Sequence, residues 1–396
     1  MGGLITVVGI GADGHLPPPS RGLVGSAEVL LGGERHLDLV PDVPGQVRRP
    51  WPRPLDALPG VLREHAGRRV VALASGDPLV SGIGTTLVRL LGAEAVEIVP
   101  AVSSASLARA RMGWSAEESA VVTLVGRDVD ALRRELAPGR RLLVLSSDER
   151  TPTAVAALLA DAGFGASAIH VLGDLGGPDE SRTTYPDGPV PRLHVLAIEV
   201  AGEGFASWAS GLPDDAFEHD GQLTKRDVRA SALARLAPAP HQRLWDVGAG
   251  AGSVAIEWLR AHPLTSAHAV ECNEERAERI GRNASRLGVP RLDVVTGRAP
   301  DALAALPTPD AVFVGGGATA DGLLDLCRDR LAVGGRLVAH GVTLETERML
   351  VDAFHRHGGE LTRLGVEHVT PLGGRFTGWT PARAVVQWSW TKESQQ

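Results

Sequence analysis

One stretch constrains the fold of this chain more than any other: residues 244–258, LWDVGAGAGSVAIEW. An apolar run ends in the acid Asp246, and three glycines then follow at alternate positions. These are Gly248, Gly250 and Gly252, and apolar residues after them recur at helical spacing. This order predicts a buried strand, a tight glycine turn and a helix. In such a turn the helix N-terminus points at a ligand, so the stretch predicts a ligand site at a strand end.

A second acid indicates the class of ligand. The next apolar run, SAHAVE, ends at Glu271. A carboxylate there can accept hydrogen bonds from both ribose hydroxyls, which favours an adenosine cofactor. The spacing is G-x-G-x-G rather than the dinucleotide pattern G-x-G-x-x-G, and no G-x-x-x-x-G-K-[ST] phosphate loop occurs. The pattern resembles the S-adenosylmethionine (SAM) site of Rossmann-like methyltransferases; the alternative is a glycine-rich turn without a ligand.

Length and composition limit the other possibilities. A chain of 396 residues suits two domains. Its net charge of −7 argues against a general nucleic-acid binder. Two cysteines, Cys272 and Cys327, favour a reducing cytoplasm without disulfides. The first residues lack a basic region, and no apolar run reaches membrane-spanning length, so we expect neither a signal peptide nor a membrane contact.

Up to about residue 113 the chain alternates strands and helices with glycine or serine at the strand ends, which predicts a parallel α/β sheet. Four motifs follow in order: GIGADG (9–14), SGDPLVSGIG (75–84), VPAVSSASLARARMG (99–113) and GDLGGPDESRT (173–183). Each motif alone is also compatible with an ordinary Gly/Pro turn. Together they resemble the tetrapyrrole methylase family, whose members methylate carbons of corrin and sirohaem precursors.

This resemblance implies a domain of two α/β lobes with one SAM bound in a folded pose between them. Carried over residue by residue, it implies a SAM pocket lined by Ser75, Gly76, Asp77, Val80, Ser103 and Ser104. The chain departs from the family pattern at Asp13, where proline is usual, and at Val125, where related enzymes often carry histidine.

Residues 202–222 have glycines and acids but little periodicity, which indicates a domain boundary. We expect a tetrapyrrole methylase domain at 1–208 and a SAM methyltransferase domain at 209–396. The segment LTKRDVR predicts a helix with Thr224 as its N-cap. The elements that follow suit a Rossmann-like seven-stranded sheet with its last strand antiparallel, and residues 361–390 predict two final strands joined by a Gly-rich loop.

The second domain is expected to bind its own SAM molecule. The resemblance places Gly297 and Ala299, at the end of the third strand, beside adenine. The full set of expected cofactor contacts here is Thr224, Asp246, Gly248, Gly250, Gly252, Glu271, Gly297 and Ala299.

The end of the fourth strand, FVGGGA at 313–318, narrows the substrate. Methyltransferases of amino nitrogens often carry Asn/Asp-Pro-Pro-aromatic there. Three glycines offer no side-chain acceptor but allow close approach by a large flat molecule; the alternative is a flexible turn. This half resembles the enzymes that methylate C15 of a corrin precursor. The fusion resembles the bifunctional family of cobalamin biosynthesis, which implies methylation at C5 by the first domain, and methylation at C15 with decarboxylation of the C12 acetate by the second.

A corrin precursor carries many carboxylates, so we expect cations at both sites. The candidates for substrate binding are Arg127, Arg182, Lys225, Arg226 and Arg229, and for each the alternative is a solvated surface cation. The sequence has lysine only at Lys225 and Lys392, and all other basic residues of the Lys/Arg type are arginine. Lys225 therefore indicates a position where a compact ammonium charge is needed rather than a planar guanidinium. Lys392 lies in the polar tail, and we expect no special role for it.

We expect positioning residues rather than a catalytic nucleophile, because a sulfonium is a good leaving group and the macrocycle supplies the attacking carbon. No residue is selected as the general acid for decarboxylation. The histidines lack ligand spacing, so no metal site is expected. We expect a homo-oligomer. The alternative function is a SAM-binding regulatory or scaffold protein with one or both sites vestigial, which Asp13 and Val125 would favour.

Overall fold

The computed structural model describes residues 5–204 and 207–393. The chain forms two compact units. The first is made of residues 1–129 and 136–204, and the second takes the remainder, including 130–135. No pattern in the sequence indicated that this short segment belongs with the second unit. A domain boundary between residues 208 and 209 stays a prediction.

The first unit contains two five-stranded sheets. The first sheet has the order β3-β2-β4-β1-β5 with every pair parallel, as predicted. The second has the order β6-β7-β10-β8-β9 and is mixed, because β10 runs antiparallel to both β7 and β8. The elements are β1 (Ile5–Ile10), α1 (Pro18–Ser26), β2 (Val29–Gly32), α2 (Glu34–Asp38), β3 (Val47–Pro50), α3 (Leu58–Glu64), β4 (Val70–Ser75), α4 (Ile83–Leu91), β5 (Val96–Val99), α5 (Ser104–Met112), β6 (Ser119–Thr123), β7 (Arg141–Leu145), α6 (Thr151–Asp161), β8 (Ala168–Gly173), β9 (Ser181–Thr184) and β10 (His194–Glu199).

The second unit is built on a seven-stranded sheet of order β13-β12-β11-β14-β15-β19-β16. The final strand β19 runs antiparallel to β15, which confirms the predicted sheet. Its elements are α7 (Arg226–Leu236), β11 (Arg243–Val247), α8 (Ser253–Ala261), β12 (Ser266–Glu271), α9 (Glu274–Arg286), β13 (Asp293–Thr296), β14 (Ala311–Val314), α10 (Leu323–Arg330), β15 (Arg336–Gly341), α11 (Leu344–His357), β16 (Glu360–Leu364), β17 (Glu367–Gly373), β18 (Phe376–Pro381) and β19 (Val385–Thr391).

One prediction for this unit is wrong. The stretch between β16 and β19 is not a simple Gly-rich loop, because β17 and β18 pair with each other as a separate antiparallel ribbon. Apolar residues alternate along this ribbon with small and polar ones, so the pattern of two long strands and the pattern of a hairpin are alike in sequence.

The central strand β11 explains why the opening stretch reads as a continuous apolar run. Successive strand residues face opposite sides of a sheet. Leu244 lies in the apolar cluster on one face and Trp245 in the cluster on the other, and both are fully buried. In the described part of the chain, no helix combines the length and the apolar character that a bilayer crossing requires.

Candidate functional site

The glycine turn of the second unit lies between β11 and α8. Gly248, Gly250 and Gly252 have φ angles of 67°, 60° and 75°, a region that favours glycine. A Cβ atom on Gly248 would lie 2.7 Å from the carbonyl oxygen of Gly316, at the end of β14. One on Gly250 would lie 2.7 Å from the carbonyl oxygen of Gln222. The turn is therefore held tightly between the fourth-strand glycines and the segment before α7.

Asp246, the first of the two acids at this turn, is 1% exposed. Its Oδ2 accepts a hydrogen bond from the N–H of Ala255 at 2.9 Å, and within the described ranges its Oδ1 has no partner. Burial raises the pKa of Asp246 to about 7, and the nearby charge of Glu271 adds to this effect. A buried acceptor without a partner is costly, so this oxygen is available to a ligand donor.

Glu271, the second acid, is also buried. Its Oε2 accepts from the N–H of Gly250 at 2.9 Å and its Oε1 from the N–H of Asn273 at 3.0 Å. The thiol of Cys272 also donates to Oε1 at 3.6 Å. A carboxylate has about four acceptor positions, so beside these three donors about one remains for a ligand. Gly297 lies beside it, because its N–H donates to the backbone carbonyl oxygen of Glu271 at 2.9 Å. Ala299 is half-buried just beyond.

The predicted capping role of Thr224 is wrong. Helix α7 begins at Arg226 with Lys225 as its N-cap, and no side chain caps it. Thr224 lies two residues after Gln222, whose carbonyl faces the glycine turn. Its place near the turn keeps it as a predicted cofactor contact.

Arg229 is a clear correction among the predicted substrate cations. Its side chain is 0% exposed, and its Nε lies 2.7 Å from Oε1 of Glu257. Its Nη1 donates to Oδ1 of Asp214 at 3.3 Å and to the carbonyl oxygen of Thr224 at 2.6 Å. Because the guanidinium is enclosed by protein acceptors, the prediction that it binds substrate is wrong. Arg229 instead anchors the segment before α7 to α8.

The two lysines differ from each other. Lys225 is 58% exposed, and its Nζ lies 3.6 Å from Oδ2 of Asp214, so it stays a candidate with its exposed neighbour Arg226. Lys392 has a structural role, contrary to expectation. Its Nζ donates to the carbonyl oxygens of Asp329 at 2.7 Å and Leu331 at 2.8 Å, at the C-terminal end of α10.

The first unit encloses a cavity of about 950 Å³. The structure brings all six residues predicted from the family motifs to its wall: Ser75, Gly76, Asp77, Val80, Ser103 and Ser104. The positions of the two departures from the motif pattern, Asp13 and Val125, line the same cavity. That these residues bind SAM stays a prediction.

Gly9 shows why three separate motifs meet at this cavity. A Cβ atom on Gly9 would lie 2.0 Å from the carbonyl oxygen of Gly76 and 2.5 Å from the backbone nitrogen of Ala101. The ends of β1, β4 and β5 therefore converge at van der Waals contact. Asp77 Oδ1 accepts from the N–H of Leu79 at 2.8 Å, which holds the second motif in its turn.

Neither predicted cation of the first unit reaches the cavity wall. Arg127 is exposed and does not line the cavity. Arg182 does not line it either, and its Nη1 donates to the carbonyl oxygen of Arg111 at 3.2 Å. The cavity instead contains Arg35 and His36, which sequence reasoning missed because helix α2 carries no motif. The signal that could have found them is their position just after β2, at the sheet edge where ligands of open α/β sheets bind. Within residues 5–204 and 207–393, no cluster of three or more His, Cys, Asp or Glu side chains could hold a metal ion.

Two family models match the two halves of the chain. The model described as Tetrapyrrole (Corrin/Porphyrin) Methylases matches residues 5–186, and the model described as Precorrin methyltransferase domain matches residues 215–392. A precorrin-6Y C(5,15)-methyltransferase (decarboxylating) from Sinorhizobium sp is 45% identical over 398 residues, covering 98% of this chain and 96% of the relative. A protein of the same name from Mycobacterium tuberculosis (strain ATCC 25618 / H37Rv) is 46% identical over 401 residues, covering 98% of this chain and 100% of the relative. The crystal structure of the C-terminal domain of the Rhodobacter capsulatus precorrin-6Y C5,15-methyltransferase is 45% identical, covers 47% of this chain and 100% of that chain, and has a TM-score of 0.45.

The two sites and the two family matches define an enzyme made of a tetrapyrrole methylase domain followed by a Rossmann-like methyltransferase domain, a class that uses SAM. This confirms the resemblances found in the sequence. The chain belongs to the precorrin-6Y C(5,15)-methyltransferase (decarboxylating) family of cobalamin biosynthesis. Nothing in the comparisons supports the alternative of a regulatory or scaffold protein.

Proposed function

We propose that this chain methylates precorrin-6Y at C5 in its first unit and at C15 in its second, where it also removes the carboxyl group of the C12 acetate. Each unit would bind one SAM molecule. The observation that supports this proposal is the presence of two differently built candidate sites in one chain. One is the cavity lined by the motif residues of the first unit, and the other is the glycine turn with two buried acids.

The second site fits an adenosine group. Glu271 keeps about one acceptor position for a ribose hydroxyl beside its three protein donors. Oδ1 of Asp246, which has no partner among the described residues, offers another acceptor. The glycines at 248 and 250 let the turn pack against the backbone of Gly316 and Gln222, where a Cβ atom would lie 2.7 Å from a carbonyl oxygen. We assign the ribose to Glu271, the adenine to Gly297 and Ala299, and the approach of the substrate to Lys225 and Arg226.

SAM supplies the methyl group and a neutral thioether leaving group when it is bound. The attacking carbon of the macrocycle forms the new carbon–carbon bond while the sulfur–methyl bond breaks, and the methylated carbon then loses its proton to solvent. Little covalent help from the protein is needed, so its residues act by orienting the reactants and excluding water. In the decarboxylation, the bond between the acetate CH2 and its carboxylate breaks, carbon dioxide leaves, and the electron pair of that bond flows into the conjugated macrocycle. The CH2 carbon then takes up a proton from solvent and becomes a methyl group. The glycines at 315–317 would let that flat ring approach the backbone closely.

Incubation of the full chain with SAM and precorrin-6Y tests the proposal. Mass spectrometry should show the gain of two methyl groups and the loss of carbon dioxide. Titration with S-adenosylhomocysteine should give two binding sites per chain. Asp77→Ala should weaken only the site of the first unit and Asp246→Ala only that of the second. Unchanged affinity at both sites in both variants would refute the residue assignments, and an unmodified precursor would refute the function.

We also propose that the chain forms a homo-oligomer through the ribbon of β17 and β18. Four large apolar side chains on it are strongly exposed: Val369 (55%), Leu372 (68%), Phe376 (64%) and Trp379 (69%). Large apolar side chains that are exposed in this number on one element are typical of interaction sites. Light scattering of the wild type and of Phe376→Ser/Trp379→Ser should show an oligomer and a smaller species, respectively; a monomeric wild type would refute the proposal. A cytoplasmic location stays a prediction, and the two free cysteines fit it.

A further inference from the structure

Helix α2 places an arginine at the wall of the first unit's cavity without an acidic partner. Arg35 donates from Nη2 to Oγ of Ser75 at 2.9 Å and to Nε2 of His36 at 2.9 Å. In the described part of the chain, no Asp or Glu forms an ion pair with it. Burial lowers the pKa of Arg35, and the charge of Asp174 across the cavity only partly opposes this. Arg35 is exposed at the cavity wall, so an anion that enters the cavity can pair with its charge.

The three side chains form a closed triangle, because Nε2 of His36 lies 3.0 Å from Oγ of Ser75. A guanidinium only donates hydrogen bonds, so His36 must accept at Nε2 and carry its proton on Nδ1. Burial, followed by the charge of Arg35, lowers the pKa of His36 to about 4. The ring is therefore neutral at neutral pH and remains an acceptor. His36 and Ser75 together fix the direction of the guanidinium.

The remaining donors of Arg35 are free to bind a ligand. Within the described residues, neither Nε nor Nη1 has a hydrogen-bond partner. A guanidinium presents its donors as a planar fork that matches a carboxylate. We propose that Arg35 is a carboxylate-binding residue of the C5-methylation site and that His36 is the positioning residue that orients it. This inference rests on the function proposed above.

Two carboxylates could occupy this position: a side chain of the corrin precursor, or the amino-acid carboxylate of SAM. Ser75 is itself a predicted SAM contact, so the triangle joins the SAM pocket to the anion position. The chemistry is the same in both cases, and the kinetics of C5 methylation separate them.

The test measures initial rates of C5 methylation by the full chain with methyl-labelled SAM, varying SAM and the precursor in turn. Arg35→Gln should raise one KM by about tenfold to a hundredfold, the usual range for hydrogen bonds to a charged group, with a smaller change in kcat. A raised KM for the precursor assigns the corrin carboxylate, and a raised KM for SAM assigns the cofactor carboxylate. Arg35→Lys, which keeps the charge without the fork, should recover only part of the loss.

Variants of His36 test the positioning role independently of changes at Arg35. His36→Ala should raise the same KM as Arg35→Gln, and His36→Gln should restore it, because the Gln carbonyl oxygen can accept where Nε2 does. The matched control is Arg89→Gln, which removes an exposed arginine on α4 outside the cavity wall. Thermal unfolding and the release of carbon dioxide by the second unit report whether each variant is folded.

The outcome that overturns the inference is a folded Arg35→Gln chain in which neither KM changes. It differs from failure of the proposed function, in which the wild type itself would not methylate C5. If Arg35→Gln does not fold, Arg35→Lys decides: wild-type values of both KM in that variant would also overturn the inference, because a lysine cannot reproduce the fork.

Discussion

The buried acid of the glycine turn should give the second unit a pH-dependent stability that can be measured without any ligand. Burial raises the pKa of Asp246 from 3.8 to about 7 in the folded protein. The folded state therefore binds one more proton than the unfolded state between these two values. The stabilisation of the protonated form is fully present below the unfolded pKa and is lost as the pH rises through the folded pKa.

The size of the effect follows from linkage. One additional bound proton gives a slope of about 1.4 kcal/mol per pH unit. Across a window of roughly three units the loss is on the order of 4 kcal/mol, a large share of the stability of a typical domain. Replacing Asp246 with asparagine removes the titration while keeping an oxygen to accept from Ala255. In Asp246→Asn, the free energy of unfolding should therefore fall less steeply with pH between about pH 4 and pH 7, by about 1.4 kcal/mol per pH unit.

The assay is urea unfolding at several pH values, followed by the fluorescence of tryptophans buried in the second unit, such as Trp245 and Trp258. The comparison is between wild type, Asp246→Asn and the control Asp321→Asn, which changes an exposed acid of the same unit. The control should keep the wild-type slope. The same slope in Asp246→Asn would refute the reasoning, because the titrating group would then lie elsewhere.

Two further predictions concern stability. Gly250→Ala should destabilise the second unit by roughly 1–3 kcal/mol in a thermal melting experiment and abolish SAM binding there. The reason is that φ of Gly250 is 60° and the new Cβ atom would lie 2.7 Å from the carbonyl oxygen of Gln222. The control is Gly281→Ala in α9, which has open space around it and should be neutral or stabilising in the same experiment. Arg229→Met should cost about 3–5 kcal/mol by leaving the buried carboxylate of Glu257 without its cation, and an unchanged melting temperature would contradict the pairing.

The glycine turn and the motif residues of the first unit could be placed from sequence because local spacing specifies them. Gly248 sits where the chain must take a positive φ, directly after a strand that is buried on both faces. Ser75 ends β4 and Ser103 follows the end of β5, and the carboxyl ends of parallel strands lie at one edge of a sheet. The ribbon of β17 and β18 could not be placed, because register between strands depends on what each one pairs with.

Two arginines have roles that the sequence alone does not predict. Arg35 and Arg229 both lie in the first turns of helices that follow loops, and nothing in their neighbours along the chain separates them. The sequence by itself determined the family and the order of its two domains, and it predicted a SAM site in each. The tertiary structure alone decided which arginine can bind an anion. It brings the carboxylate of Glu257, 28 residues away, to Arg229. To Arg35 it brings the neutral hydroxyl of Ser75, 40 residues away, and, among the described residues, no carboxylate within ion-pair distance. The charge balance around a side chain depends on such distant contacts, which no local pattern contains.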